Sequence, residues 1–161
     1  MLYLSRDDGA TWSTWQVPFA WETRGSDVPD TFTATPVSGS RDADVLAWWV
    51  PAPGPLAFDA SSRKHFSCVS DAVYVSDDRG RRWTRAGVLP QRSDGLRADC
   101  RSLQAAPGEL LHAGTSTGVR VSADAGKTWS SIDHAALRGA AVDFMAGDDS
   151  GAVYLNARAT R

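Results

Sequence analysis

The sequence predicts an all-β chain built from antiparallel hairpins. One octapeptide pattern, S-x-D-x-G-x-[TR]-W, occurs three times: at Ser5–Trp12, Ser76–Trp83 and Ser122–Trp129. Each copy follows a run that alternates with period two: Leu2-Tyr3-Leu4, Val73-Tyr74-Val75 and Val119-Arg120-Val121. Such alternation is the signature of a strand. Each copy also ends in a Trp that opens a second strand, so strand, short Gly-containing segment and strand together read as a hairpin.

Every residue type in the pattern has a use inside one turn. Gly9, Gly80 and Gly126 supply the positive φ of a tight connection. Asp7, Asp78 and Asp124 can accept backbone N–H groups, and Ser5, Ser76 and Ser122 can do so more weakly. Trp12, Trp83 and Trp129 are large and amphipathic enough to fold over the turn and shield it. The pattern is therefore read as structural, with no catalytic residue in it.

Taken in order, residues 1–17 form a hairpin ended by Pro18, and 18–30 are a charged loop containing Trp21. Thr31 to Val37 is β-branched and alternating, hence a strand. Ala43 to Val50, with Trp48 and Trp49, is apolar enough for a buried strand. Pro51, Pro53, Gly54 and Pro55 then break the chain, and 51–70 read as an insertion-like loop. The second box hairpin spans 72–88, followed by a polar loop at 89–99. Strands at 100–106 and 110–114 flank the turn Pro107-Gly108-Glu109, and the third box hairpin spans 118–133. Residues 134–140 suit a short helical turn. Ala141–Ala146 and Ala152–Ala157 are strands around the turn Gly147–Gly151.

The strands thus group as a half unit (1–17), two four-stranded units (31–88 and 98–133) and a further half unit (141–158). The second and third boxes lie 46 residues apart (122 − 76), a normal propeller-blade repeat. Four-stranded antiparallel units in series are the signature of a β-propeller. The box pattern itself resembles the Asp-box, or BNR repeat, of sialidases and related β-propellers. In that family it lies on the hairpin joining the third and fourth strands of a blade, away from the catalytic centre. The resemblance implies a sialidase-like propeller, of which this chain carries about three blade equivalents. Closed propellers need roughly 4–8 blades. The chain is then either a segment of a longer propeller or half of a six-bladed ring completed by a homodimer.

The sialidase resemblance also directs attention to that family's machinery: three carboxylate-binding arginines, a Tyr nucleophile beside a Glu, and an Asp acid/base. Tyr154-Leu155-Asn156-Ala157-Arg158 resembles the strand ending in N-x-R that supplies one such arginine. Where the family has a Glu on the neighbouring strand, this chain offers Asp143, and the early arginine motif is absent. Tyr3 and Tyr74 sit in pre-box positions and Tyr154 is mid-strand, poor settings for a nucleophile. Arg158 is the candidate for ligand contact, and Trp21 and Trp49 are candidates for stacking on sugar rings. No catalytic set is complete.

Composition narrows the functions. The chain has 161 residues and a net charge of −2, from 17 basic and 19 acidic side chains, too balanced for a nucleic-acid surface. Positive charge clusters only at Arg79–Arg85, on a hairpin. His65, His112 and His134 share no metal-ligand spacing, and no phosphate loop or cofactor motif is present. No apolar stretch is long enough to span a membrane. As written the chain has no signal peptide and reads as cytoplasmic; cut from a longer parent, it could be secreted. Cys68 and Cys100 either pair in an oxidising compartment or stand as two separate small buried residues. The expected role is a non-catalytic scaffold or binding module for glycan or protein. The alternative is a sialidase-type glycoside hydrolase whose other active-site residues lie outside this chain.

Overall fold

The computed structural model describes residues 2–4, 10–11, 13–15, 31–33, 54–78, 82–91, 95, 98–148 and 152–159. These residues are all-β, with one 3-10 turn at Ala135–Leu137. The strands form four open antiparallel sheets.

In the first hairpin, β1 (Leu2–Leu4) pairs with β2 (Ser13–Trp15), Leu2 opposite Trp15. A five-stranded sheet follows, built from β3 (Thr31–Thr33), β4 (Leu56–Asp59), β5 (Lys64–Val69), β6 (Ala72–Ser76) and β7 (Arg82–Val88). Strands β4 to β7 are a meander, and β3 is an edge strand on β7. The four-stranded sheet comprises β8 (Cys100–Ala106), β9 (Leu110–Thr115), β10 (Gly118–Ser122) and β11 (Ser130–Ser131), also a meander. The last hairpin pairs β12 (Ala140–Gly147) with β13 (Val153–Ala159).

One expectation is corrected. Residues 51–70 do not form a loop, because 56–59 and 64–69 are strands paired to each other and, through β5, to β6. The prolines end before Leu56, so they delimit β4 without breaking it. Strand β4 is hard to read because its alternation is inverted. Leu56 and Phe58 are exposed, while Asp59 is buried. The strand expected at 43–50 lies outside the described residues.

From the five-stranded sheet onward the sheets pack on one another in chain order. Phe66, Cys68 and Val73 of the five-stranded sheet pack against Leu103, Ala105, Leu111 and Ala113 of the next. The opposite face of the first sheet is covered as well, since Tyr74 and Ser67 are fully buried. A second, smaller core joins the four-stranded sheet to the last hairpin through Val119, Val142 and Met145. Cross-links reinforce the first junction. Cys68 and Cys100 form a disulfide with Cα atoms 6.3 Å apart, which settles the pairing that the sequence leaves open. Cys100 N–H also donates to Ser70 O at 2.9 Å. Gly87 permits close approach of the third box turn, because a Cβ there would lie 2.4 Å from Gly126 O. Among the described residues no helix is long and apolar enough to cross a membrane.

Candidate functional site

The box turns come first. In the third, Ser122 Oγ donates to Asp124 Oδ1 (2.7 Å) and accepts Gly126 N–H (2.8 Å). Thr128 N–H donates to Asp124 Oδ1 (2.9 Å), and Thr128 Oγ1 donates to Asp124 Oδ2 (2.6 Å). Trp129 Nε1–H donates to Gly126 O at 2.9 Å and folds the indole back over the turn. Ala125 and Gly126 both have positive φ, +60° and +87°. The hydrogen bonds from the Thr128 side chain, the Thr128 backbone and Ser122 hold the Asp124 carboxyl at a pKa of about 2. It is ionised at neutral pH and engaged on both oxygens, so it has no proton to give as an acid.

The second box repeats the geometry. Ser76 Oγ donates to Asp78 Oδ1 and Arg82 N–H donates to the same oxygen, both at 2.9 Å. Its Trp83 is fully buried. In both meanders the box joins the third strand to the fourth. Gly80 lies outside the described residues, as do Ser5, Asp7, Gly9 and Trp12 of the first box, although β1 and β2 flank that box as a hairpin.

A second cluster of turns sits beside the third box. Asp59, buried at the end of β4, accepts Ser61 N–H (2.9 Å), Ser61 Oγ–H (2.7 Å), Ser62 Oγ–H (2.8 Å) and Glu109 N–H (3.0 Å). Burial alone would raise its pKa, but the hydrogen bonds from Ser61, Ser62 and Glu109 outweigh it and bring the value to about 2. Lys64 bonds Glu109, and Glu109 O accepts Ala125 N–H at 3.2 Å. The β4–β5, β8–β9 and β10–β11 turns are thus joined through Glu109.

These turns border a groove of about 390 Å³ on the first sheet. Lys64, Arg82, Arg85 and Lys127 line it, together with the acids Asp77 and Glu109. Arg82 and Arg85 belong to the basic hairpin seen in the sequence. Lys64, Glu109 and Lys127 were not legible as partners, because they come from three different turns.

Arg158 lies elsewhere, in an ion network shaped by two β-bulges. Arg101 is the extra residue in β8, and Asp143 is the extra residue in β12. Bulges re-aim side chains, and here the two meet: Arg101 Nη1 bonds Asp143 Oδ1 at 2.7 Å. Arg158 Nη2 reaches Asp143 Oδ2 at 3.2 Å, and Arg101 Nε bonds Asp99 at 3.1 Å. The network holds two arginines and two aspartates, and Arg158 remains mostly exposed. Trp21 and Trp49 lie outside the described residues. His112 is half-buried in β9, and burial lowers its pKa. Among the described residues no group of His, Cys, Asp and Glu suits a metal ion.

Comparison with protein-family models and with curated proteins finds no match to this chain.

Proposed function

We propose that the chain is a segment of a sialidase-like Asp-box β-propeller and serves as a non-catalytic scaffold or binding module for glycan or protein. The observation that carries this reading is the third box. Its carboxylate and serine are both committed to closing a turn between the third and fourth strands of a meander. The repeated geometry at Ser76 and Asp78 supports it, as does the serial stacking of sheets. The Cys68–Cys100 disulfide supports residence in an oxidising, extracytoplasmic compartment. The rival reading, a sialidase-type glycoside hydrolase, rests on Arg158 in its N-x-R strand. In this structure that arginine pairs with Asp143.

A fluorogenic sialoside assay on the purified chain separates the two. The binding-module reading expects no turnover above the blank. Turnover that disappears in Arg158→Ala would replace it with the hydrolase.

A further inference from the structure

We propose that the groove between β6–β7 and the third box turn is a binding site for an acidic saccharide, one carrying a carboxylate or sulfate beside free hydroxyls. This deepens the binding-module reading and rests on it.

Charge is the first ground. The chain as a whole carries −2, yet among the described residues the groove is lined by four cations and two acids. The excess of positive charge is therefore local and runs against the net charge of the molecule, which favours an anionic occupant. Glu109 is already engaged by Lys64. Arg82 and Lys127 are exposed and come from two different elements, one on β7 and one on the box turn. Arg82 N–H is held by the Asp78 carboxylate, and the Lys127 turn is anchored through Ala125 N–H to Glu109 O, so both cations start from hydrogen-bonded backbone.

Size and mixed polarity narrow the ligand. A volume of about 390 Å³ lies at the lower end of small-molecule sites and suits one or two sugar rings. Val75 and Ala125 give the groove apolar wall, which suits the C–H face of a sugar. Asp77 and Glu109 would repel a uniformly acidic peptide. They can accept hydrogen bonds from sugar hydroxyls, and Thr84 adds a hydroxyl of its own. One anionic group with several hydroxyls matches this lining; a run of carboxylates does not.

The test is calorimetric titration of the full chain with four probes: a sulfated uronic-acid disaccharide, a neutral disaccharide, inorganic sulfate and a hexaglutamate peptide. The sulfated disaccharide should bind, weaken as salt rises, and lose at least about tenfold in affinity in the double variant Arg82→Glu, Lys127→Glu. Arg101→Ala, in the separate ion network, should bind as the parent does, and a thermal melt of each variant shows that it is folded. Equal affinity for inorganic sulfate would reduce the site to adventitious anion binding. Tighter binding of the peptide or of the neutral sugar would overturn the ligand class. Saccharide binding that survives the double charge reversal would end the groove proposal and leave the binding-module reading standing. Sialoside turnover with groove binding intact would do the reverse.

Discussion

Ser122 shows how much of this chain's chemistry is used in making corners. Its hydroxyl donates a hydrogen bond to Asp124 and accepts one from Gly126 N–H, in a place where the serine is almost fully buried. Replacing it with Ala leaves a buried N–H without its acceptor, at about 1–3 kcal/mol. Ser122→Ala should therefore lower Tm by roughly 5 °C in a scanning melt. A change near zero would mean that the box hydroxyl is ornamental. Asp59 behaves similarly and adds a pH dependence. Its folded pKa of about 2 lies below the ordinary aspartate value of 3.8. Its contribution is therefore complete above about pH 4 and is lost as pH falls toward 2. His112 starts uncharged. Burial favours its neutral form, so folding loses stability once pH drops below the ordinary imidazole value of 6.5. Chemical denaturation across pH 7 to 2 should show a shallow decline below 6.5 and a steeper one below 4. Asp59→Asn should make the lower limb shallower, with the share of Asp124 remaining, while leaving the upper one. The box turn chemistry was legible in sequence because Ser, Asp, Gly and Trp lie within eight consecutive positions. The Asp59 cluster was not, since its link to Glu109 N–H comes from a turn fifty residues away.

Among elements, the Cys68–Cys100 bond is the covalent join between consecutive sheets, from β5 to the first residue of β8. It closes a loop with a sequence separation of 32, for which a stabilisation of about 2–4 kcal/mol is typical. Reduction, or the double variant Cys68→Ser, Cys100→Ser, should lower the urea midpoint and steepen the transition, because the unfolded chain is freed to expand. If reduction leaves the midpoint where it was, the sheets are held by Phe66, Val73, Leu103 and Leu111 alone. Element patterning explains what could be read beforehand. Strands such as β6 and β9 are runs of apolar and small residues, buried over most of their length, and lead into turns rich in Gly, Asp and Ser. Strand β4 carries its apolar side chains outward and its carboxylate inward, which no hydropathy pattern can reveal. The three bulges were likewise hidden, because an inserted residue such as Ala86, Arg101 or Asp143 is defined only by the partner strand. That is why the sequence can set Asp143 on the strand beside Arg158, while the bond from Asp143 to Arg101, bulge to bulge, cannot be read from it.

At the level of the whole molecule, stability should be graded along the stack. The first junction combines a large apolar core, a disulfide, the Asp59 clasp and the Ser70–Cys100 backbone bond. The second has Val119, Val142 and Met145, a long hydrogen bond from Ser102 Oγ to Val142 O at 3.4 Å and the partly exposed Arg101–Asp143 ion pair. Beyond it, β13 is exposed along nearly its whole length, and Phe144, Tyr154 and Leu155 present apolar surface to solvent. Units that touch only their neighbours open locally, at free energies set by each interface. Amide hydrogen exchange should therefore be fastest among the hydrogen-bonded strands in 153–159, intermediate in 140–147 and slowest in 66–69, 72–76 and 111–115. Because β13 is paired to β12 over seven residues, rapid exchange there would report opening of the hairpin, not missing hydrogen bonds. Uniform protection from β5 to β13 would show instead that the isolated chain is one cooperative unit, or that another surface covers β13 in solution. Repeating the exchange over a tenfold range of protein concentration separates those two outcomes, since only the second depends on it.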